Sequence, residues 1–154
     1  MNILKDLVSN NVLLSALYSW FLAQFLKITI EIVKRNKFKT KDFIFRALLG
    51  TGGMPSSHSA SITSVAVSIG ITSGFGSPIF ALAFVMVFIV IRDATGVRLS
   101  SGKQAQALNL IMEELYSRYN ISFKKIKEVK GHTALECFIG VIIGIFVSLG
   151  MYLL

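Results

Sequence analysis

His132 and Glu136 stand four residues apart, so on a helix they lie one above the other on the same face. A carboxylate placed there can hold the imidazole in one tautomer and leave the far ring nitrogen as a nucleophile or base. The plainer alternative is a histidine at a helix start whose glutamate merely satisfies it. The same spacing continues through Gly140, Gly144 and Ser148, a stripe of small residues that predicts an inward-facing helix surface. The second histidine, His58, follows Gly52-Gly53-Met54-Pro55-Ser56-Ser57, where glycine, proline and serine lead into a helix. Free N–H groups at a helix start suit a phosphate, the Ser56 and Ser57 hydroxyls can assist, and His58 can give a proton to a leaving oxygen. Capping of the helix by one of the serines is the alternative.

Cations recur near these histidines. Gln24, Lys27, Glu31 and Lys34 form a polar stripe along one face of an otherwise apolar segment, which fits either a pocket or a lysine snorkelling beside Glu31. In Asp93-Ala94-Thr95-Gly96-Val97-Arg98 and the following Gly102-Lys103-Gln104, Arg98 and Lys103 can clamp phosphate oxygens, or serve as ordinary membrane-surface charge. Phosphoryl transfer through a phosphohistidine needs a clamped electrophile, a nitrogen nucleophile and a proton for the leaving alkoxide. These residue types supply each of them.

The elements that must position these groups are apolar helices. The chain has 154 residues, 53% hydrophobic and 16% charged, with a mean hydropathy of +0.66. A soluble domain carries about a quarter charged residues, so a free globule is excluded and a bilayer expected. Residues 12–33 and 132–154 are each long enough to cross a hydrocarbon core of about 30 Å. The first lacks a basic leader and a small-residue cleavage site and is expected to stay attached. Residues 57–73 and 76–92 form a hairpin about the turn Gly74-Phe75-Gly76-Ser77-Pro78. Over 101–119, Leu108, Ile111, Met112, Leu115 and Tyr119 share one face, which predicts an amphipathic helix on the membrane surface, followed by the basic residues Lys124, Lys125, Lys127 and Lys130. The expected architecture is all-α: one polytopic domain over 1–154, with about four transmembrane helices plus the interfacial helix.

Every basic residue except Lys5 falls in the loops after the first and before the last span, or at the adjoining helix ends. The positive-inside rule places that side in the cytoplasm, and both termini outside. Lys27, His58, Arg92, Asp93 and His132 all gather at that level, and ionisable groups at membrane depth usually face a cavity or one another. The formal charge of +8 does not indicate nucleic acid, because the cations sort by membrane side and lack interleaved aromatics. A single cysteine, Cys137, excludes an intrachain disulfide, and two histidines are too few for a histidine-rich metal centre.

Pro55-Ser56-Ser57-His58 and His132-x3-Glu136 resemble the second and third signatures, P-S-G-H and S-R-x5-H-x3-D, of the type-2 phosphatidic acid phosphatase superfamily, which includes acid phosphatases and vanadium haloperoxidases. The strings GGMPSSHSA, DATGVR, GKQA and GHTALE resemble its small divergent membrane branch. The resemblance implies His132 as nucleophile, Glu136 as its orienting acid and His58 as the general acid. Lys27, with Lys34 in the register of an arginine and Arg35 beside it, matches the first signature, K-x6-R-P, without the proline. Ser57 replaces a glycine, and Lys125-Ile126 stands where Ser-Arg is expected, so Arg98 assisted by Lys103 is assigned the missing arginine's role.

The leading expectation is a membrane phosphatase needing neither metal nor cofactor. It would act at the cytoplasmic face of a bacterial membrane on a lipid phosphate or diphosphate such as phosphatidic acid, phosphatidylglycerophosphate or a polyprenyl diphosphate. Homo-oligomers are compatible with it. One alternative is a non-catalytic headgroup-binding, transport or assembly protein. Another is a metal-dependent hydrolase using His58, Asp93, His132 and Glu136.

Overall fold

A computed structural model describes residues 3–35 and 52–153. The basic loop with Lys37, Lys39 and Lys41, and the Arg46 piece up to Thr51, lie outside the described residues, as do the side chains of Lys34 and Arg35. The elements are α1 (Ile3–Val8), α2 (Asn11–Arg35), α3 (Ser57–Ser73), α4 (Pro78–Arg92), a π-helical turn (Asp93–Val97), α5 (Arg98–Tyr119) and α6 (Ala134–Leu153). There is no strand among the described residues. The expected all-α bundle is present.

Helix α3 runs through the middle, packed against α2, α4 and α6. Along α6, Gly140 meets Ser56 and Ser59, Gly144 meets Ala60, Thr63 and Ser64, and Ser148 meets Ser64 and Ser68. The order rises on both helices, so α3 and α6 run parallel. A β-carbon at Gly140 or Gly144 would collide with the carbonyl oxygen of Ser56 or Ala60. These glycines therefore let the two backbones touch, as their spacing predicts. Helix α2 runs the other way: Ser15 bonds Ser68 at 2.7 Å, while Lys27, three turns on, lies against Gly53.

Hydroxyls rather than large apolar groups hold this interior. Ser64 and Ser148 are 2.8 Å apart, Ser148 also donates to the Ser64 carbonyl at 2.8 Å, and Ser68 reaches Ser148 at 3.2 Å. All these serines are fully buried, with Ala23, Ala60 and Ile143 packed nearby. The large apolar side chains instead cover the outside: Phe21, Phe25, Leu82, Phe84, Phe138 and Phe146 are exposed. That inversion is what a helix bundle facing lipid requires.

Three helical stretches among the described residues are long and apolar enough to cross a membrane: Asn11–Val33, Pro78–Tyr119 and Ala134–Leu153. The fourth expected span, α3, has 17 residues and is rich in serine and threonine. At 1.5 Å per residue it is only about 26 Å long. Its polar face is tolerated because three apolar helices enclose it.

The largest difference from expectation lies after α4. The sequence places a span at 76–92 and a separate helix at 101–119 with glycines in the stretch between, yet α4, the π-helical turn and α5 form one uninterrupted helical stretch. A lone glycine costs a helix only about 1 kcal/mol relative to alanine. Gly102 has a compensating reason to be small, since a β-carbon there would strike the carbonyl of Val129.

Beyond the π-helical turn, α5 leaves the bundle and the chain returns along it from Asn120, whose left-handed φ of 54° ends the helix. Buried Asn109 secures the return: its amide nitrogen donates to the Ile126 carbonyl at 3.0 Å and its oxygen accepts from the Ile126 N–H at 2.9 Å. This side chain copies one rung of a sheet. On the expected apolar face of α5, Leu108, Ile111 and Tyr119 are exposed, while Met112 and Leu115 are half-buried.

Candidate active site where four helix ends converge

Residues 133–136 start α6 with a reciprocal cap. The Thr133 hydroxyl accepts from the Glu136 N–H at 3.3 Å, and Glu136 Oε2 accepts from the Thr133 N–H at 3.1 Å. Such a capping box satisfies two N–H groups that a helix start otherwise leaves open. The same Oε2 lies 3.1 Å from His132 Nδ1. With a carboxylate as acceptor, Nδ1 carries the proton and the Nε2 lone pair is left available. His132 is buried, and its own N–H donates to the Ala94 carbonyl at 3.0 Å. Glu136 thus holds the imidazole, while the π-helical turn holds the main chain that carries it.

Glu136 reaches a third element. Its backbone carbonyl accepts the Ser56 N–H at 3.0 Å, which ties the start of α3 to the start of α6. Ser56 is fully buried, and its hydroxyl caps α3 by accepting from Ser59 N at 3.3 Å and from Ser59 Oγ at 3.1 Å. Capping, one of the two readings of the serines, describes Ser56. Ser57 is buried beside it, and His58 is exposed on the first turn.

Lys27 comes up from α2 almost fully buried and lies within electrostatic range of Glu31 and Glu136. It runs past Gly53, whose φ of +92° turns the chain there and where a β-carbon would lie only 3.1 Å from Lys27 Cε. The site's cations and its second imidazole share one field: Arg98, His132, Lys27 and Asp93 all act electrostatically on His58. Arg98 is bound by its Nε to Asp93 Oδ2 at 2.6 Å, and both side chains are about two-fifths exposed.

The sequence-predicted residues therefore divide. His132 contacts Glu136 and Arg98 contacts Asp93, while His58 stands within electrostatic range of His132, Lys27, Arg98 and Asp93. Lys103 is exposed farther along α5 and lines a separate cavity that reaches Glu136 but neither histidine. Lys34 and Arg35 close α2, and their side chains are outside the described residues. No group of three His, Cys, Asp or Glu residues placed to hold a metal ion occurs among the described residues.

Sequence reasoning missed three contributors. Thr133 was detectable, because Thr-x-x-Glu before an apolar run signals a capping box. Ala94 acts through its carbonyl, which leaves no side-chain signature. Asn109 is a lone polar residue in a mixed helix and becomes distinctive only when the returning chain is seen beside it. Glu128, also on that return, is exposed, and hydrogen bonds from Asn109 and Gln106 hold its carboxyl below the usual range.

The profile of the divergent PAP2 family matches residues 8–147, and so covers every residue of the candidate site. The chain is also 32% identical over 155 residues to a protein of Bacillus subtilis (strain 168) named uncharacterized membrane protein YuiD, an alignment covering 94% of this chain and 95% of that one. No solved structure matches. With three helices suited to crossing a membrane and a membrane protein as relative, this is an integral membrane protein, and it belongs to the divergent PAP2 family.

Proposed function

We propose that the protein is a metal-independent phosphatase that hydrolyses a lipid phosphate or diphosphate through a phosphohistidine at the cytoplasmic face of its membrane. The observation that carries this reading is the 3.1 Å contact between Glu136 and His132 Nδ1, with a second imidazole and two cations in electrostatic range. His132 Nε2 attacks phosphorus, a P–N bond forms, and the P–O bond to the alcohol breaks as His58 protonates the departing oxygen. Water, deprotonated by His58, then displaces His132 and releases phosphate. Lys27 and Arg98 balance charge on the transferring group, and the N–H groups at the start of α3 with Ser57 add donors. The substrate class is phosphatidic acid, phosphatidylglycerophosphate or a polyprenyl diphosphate, with the tail left among the helices.

The test uses purified protein and a panel of phosphorylated lipids. Vanadate-sensitive phosphate release, trapping of phosphate on His132 and loss of both in His132→Ala are expected. Turnover by His132→Ala at the wild-type rate would falsify the assignment. A second reading, a headgroup-binding protein without turnover, is favoured by one feature: the Arg98 guanidinium is already partly engaged by Asp93. It predicts lipid binding that survives in both histidine variants and no hydrolysis of any ester.

A further inference from the structure

Lys27 is only 6% exposed, and the chain at Gly53 passes over its Cε. A snorkelling lysine carries its ammonium group out to water, whereas this one is enclosed by the protein. An ammonium withdrawn from water is costly unless a carboxylate faces it, and the cost is greater at membrane depth. Its counterion is therefore part of the site.

Two carboxylates lie within electrostatic range of Lys27, Glu31 and Glu136, and they are not equivalent. Glu136 Oε2 already accepts from the Thr133 N–H and lies 3.1 Å from His132 Nδ1. Its charge is engaged by the nucleophile. Glu31 stands one turn along α2 from Lys27, at the spacing of four that makes side chains on a helix neighbours, and acts on Lys27 more strongly than Glu136 does. It is half-buried. From α3 the titratable group sharing the field of Lys27 is His58, and from the start of α6 come Glu136 and the His132 it holds. An imidazole supplies no negative charge.

We infer that Glu31 is a positioning residue, the counterion that keeps the buried Lys27 ammonium charged and in place to meet the phosphate. The inference rests on the phosphatase reading for the phosphate that Lys27 meets, and it extends the site one turn along the polar stripe of α2 to a residue that acts through Lys27. Removing the Glu31 charge leaves Lys27 its proton only at lower pH, and a neutral amine no longer clamps an anion.

The experiment is calorimetric titration of inorganic phosphate into the full chain in detergent, for wild type, Glu31→Gln and Glu31→Asp, between about pH 8 and 10, where imidazole has ceased to titrate. Affinity should fall at the alkaline end in all three as Lys27 loses its proton, but about one pH unit lower in Glu31→Gln, the effect of removing one adjacent opposite charge. Within that interval Glu31→Gln should bind phosphate up to about tenfold more weakly than wild type, while Glu31→Asp follows the wild-type curve. Coincident curves for wild type and Glu31→Gln, or an equal loss at every pH in both variants, would overturn the assignment. Thermal denaturation gives a second check that needs no ligand. Glu31→Gln and Lys27→Met each leave one charge without its partner, so each should lower the unfolding midpoint and the double variant should recover it. Losses that simply add would refute the pairing. A shifted binding curve in a protein that hydrolyses no ester would end the phosphatase reading and leave Glu31 in its role.

Discussion

Asp93 Oδ2 and Arg98 Nε meet at 2.6 Å across the π-helical turn that joins α4 to α5. In an α-helix, side chains five residues apart point about 140° away from each other. The wider π turn brings them to one side, and such turns recur at functional sites. The same turn lends the Ala94 carbonyl to the main-chain N–H of His132, so one local distortion of a helix holds both the cation and the backbone that carries the imidazole.

Asp93→Ala should therefore release Arg98 without removing it. Both partners are partly exposed, which limits such a pair to about 1 kcal/mol, so KM for a lipid phosphate should rise up to about fivefold with kcat less affected. Steady-state kinetics in detergent micelles check this, with Arg98→Lys as a companion that keeps the charge and loses the fork. A fall confined to thermal stability would contradict the positioning role.

Glu136 does two jobs that can be separated. Glutamine still serves a capping box, so Glu136→Gln should leave the unfolding temperature nearly unchanged while kcat falls by about 10²–10⁴, as expected when a histidine loses the anion that sets its tautomer. Glu136→Ala loses the cap as well, at a further cost of about 1 kcal/mol. Phosphate release and thermal denaturation, measured side by side, distinguish the two.

Gly140→Ala and Gly144→Ala each push a methyl group against a main-chain carbonyl of α3. Overpacking of this kind costs about 1–3 kcal/mol, and it should also shift the Ser56–Glu136 tie and lower activity. Gly150 on the same helix has nothing within 4 Å of its missing β-carbon, so Gly150→Ala should be neutral or slightly stabilising. Equal denaturation midpoints for all three would refute the close-approach account.

The return segment should loosen in acid. Hydrogen bonds from Asn109 and Gln106 lower the folded-state pKa of Glu128, so their contribution is complete above the ordinary carboxylate range and disappears as pH falls through the lowered value. Protection of the Ile126 amide, its exchange rate compared with the intrinsic rate at each pH, should fall over that acid interval, and Asn109→Ala should lower it at every pH. Undiminished protection in the variant would show that Asn109 is not what holds the segment.

Much of this arrangement can be read from the chain. The apolar runs locate α2, α4 and α6 because lipid-facing helices need unbroken apolar surface, and the small residues spaced by four from Gly140 mark the α6 face that meets α3. His132 and Glu136 do pair, though not on a shared helix face: His132 lies two residues before α6, and the cap that turns Glu136 back over Thr133 brings the carboxylate to it. The π-helical turn was not legible, because Gly96 and Gly102 look like loop punctuation until the chain they make room for is known. The return segment failed for a similar reason: residues 121–131 have no period, and their order comes from Asn109 across a gap of 17 positions.

A helix like α3, 17 residues long and lined with serines, has a consequence for biogenesis. The hydroxyls of Ser61, Ser64 and Ser68 are satisfied by α2 and α6, yet α6 is made more than sixty residues later. A nascent α3 gains little by leaving the translocon for lipid alone. It enters with α4, to which the short turn at Gly74–Ser77 already joins it, and the final partner locks in only when the C-terminal helix emerges.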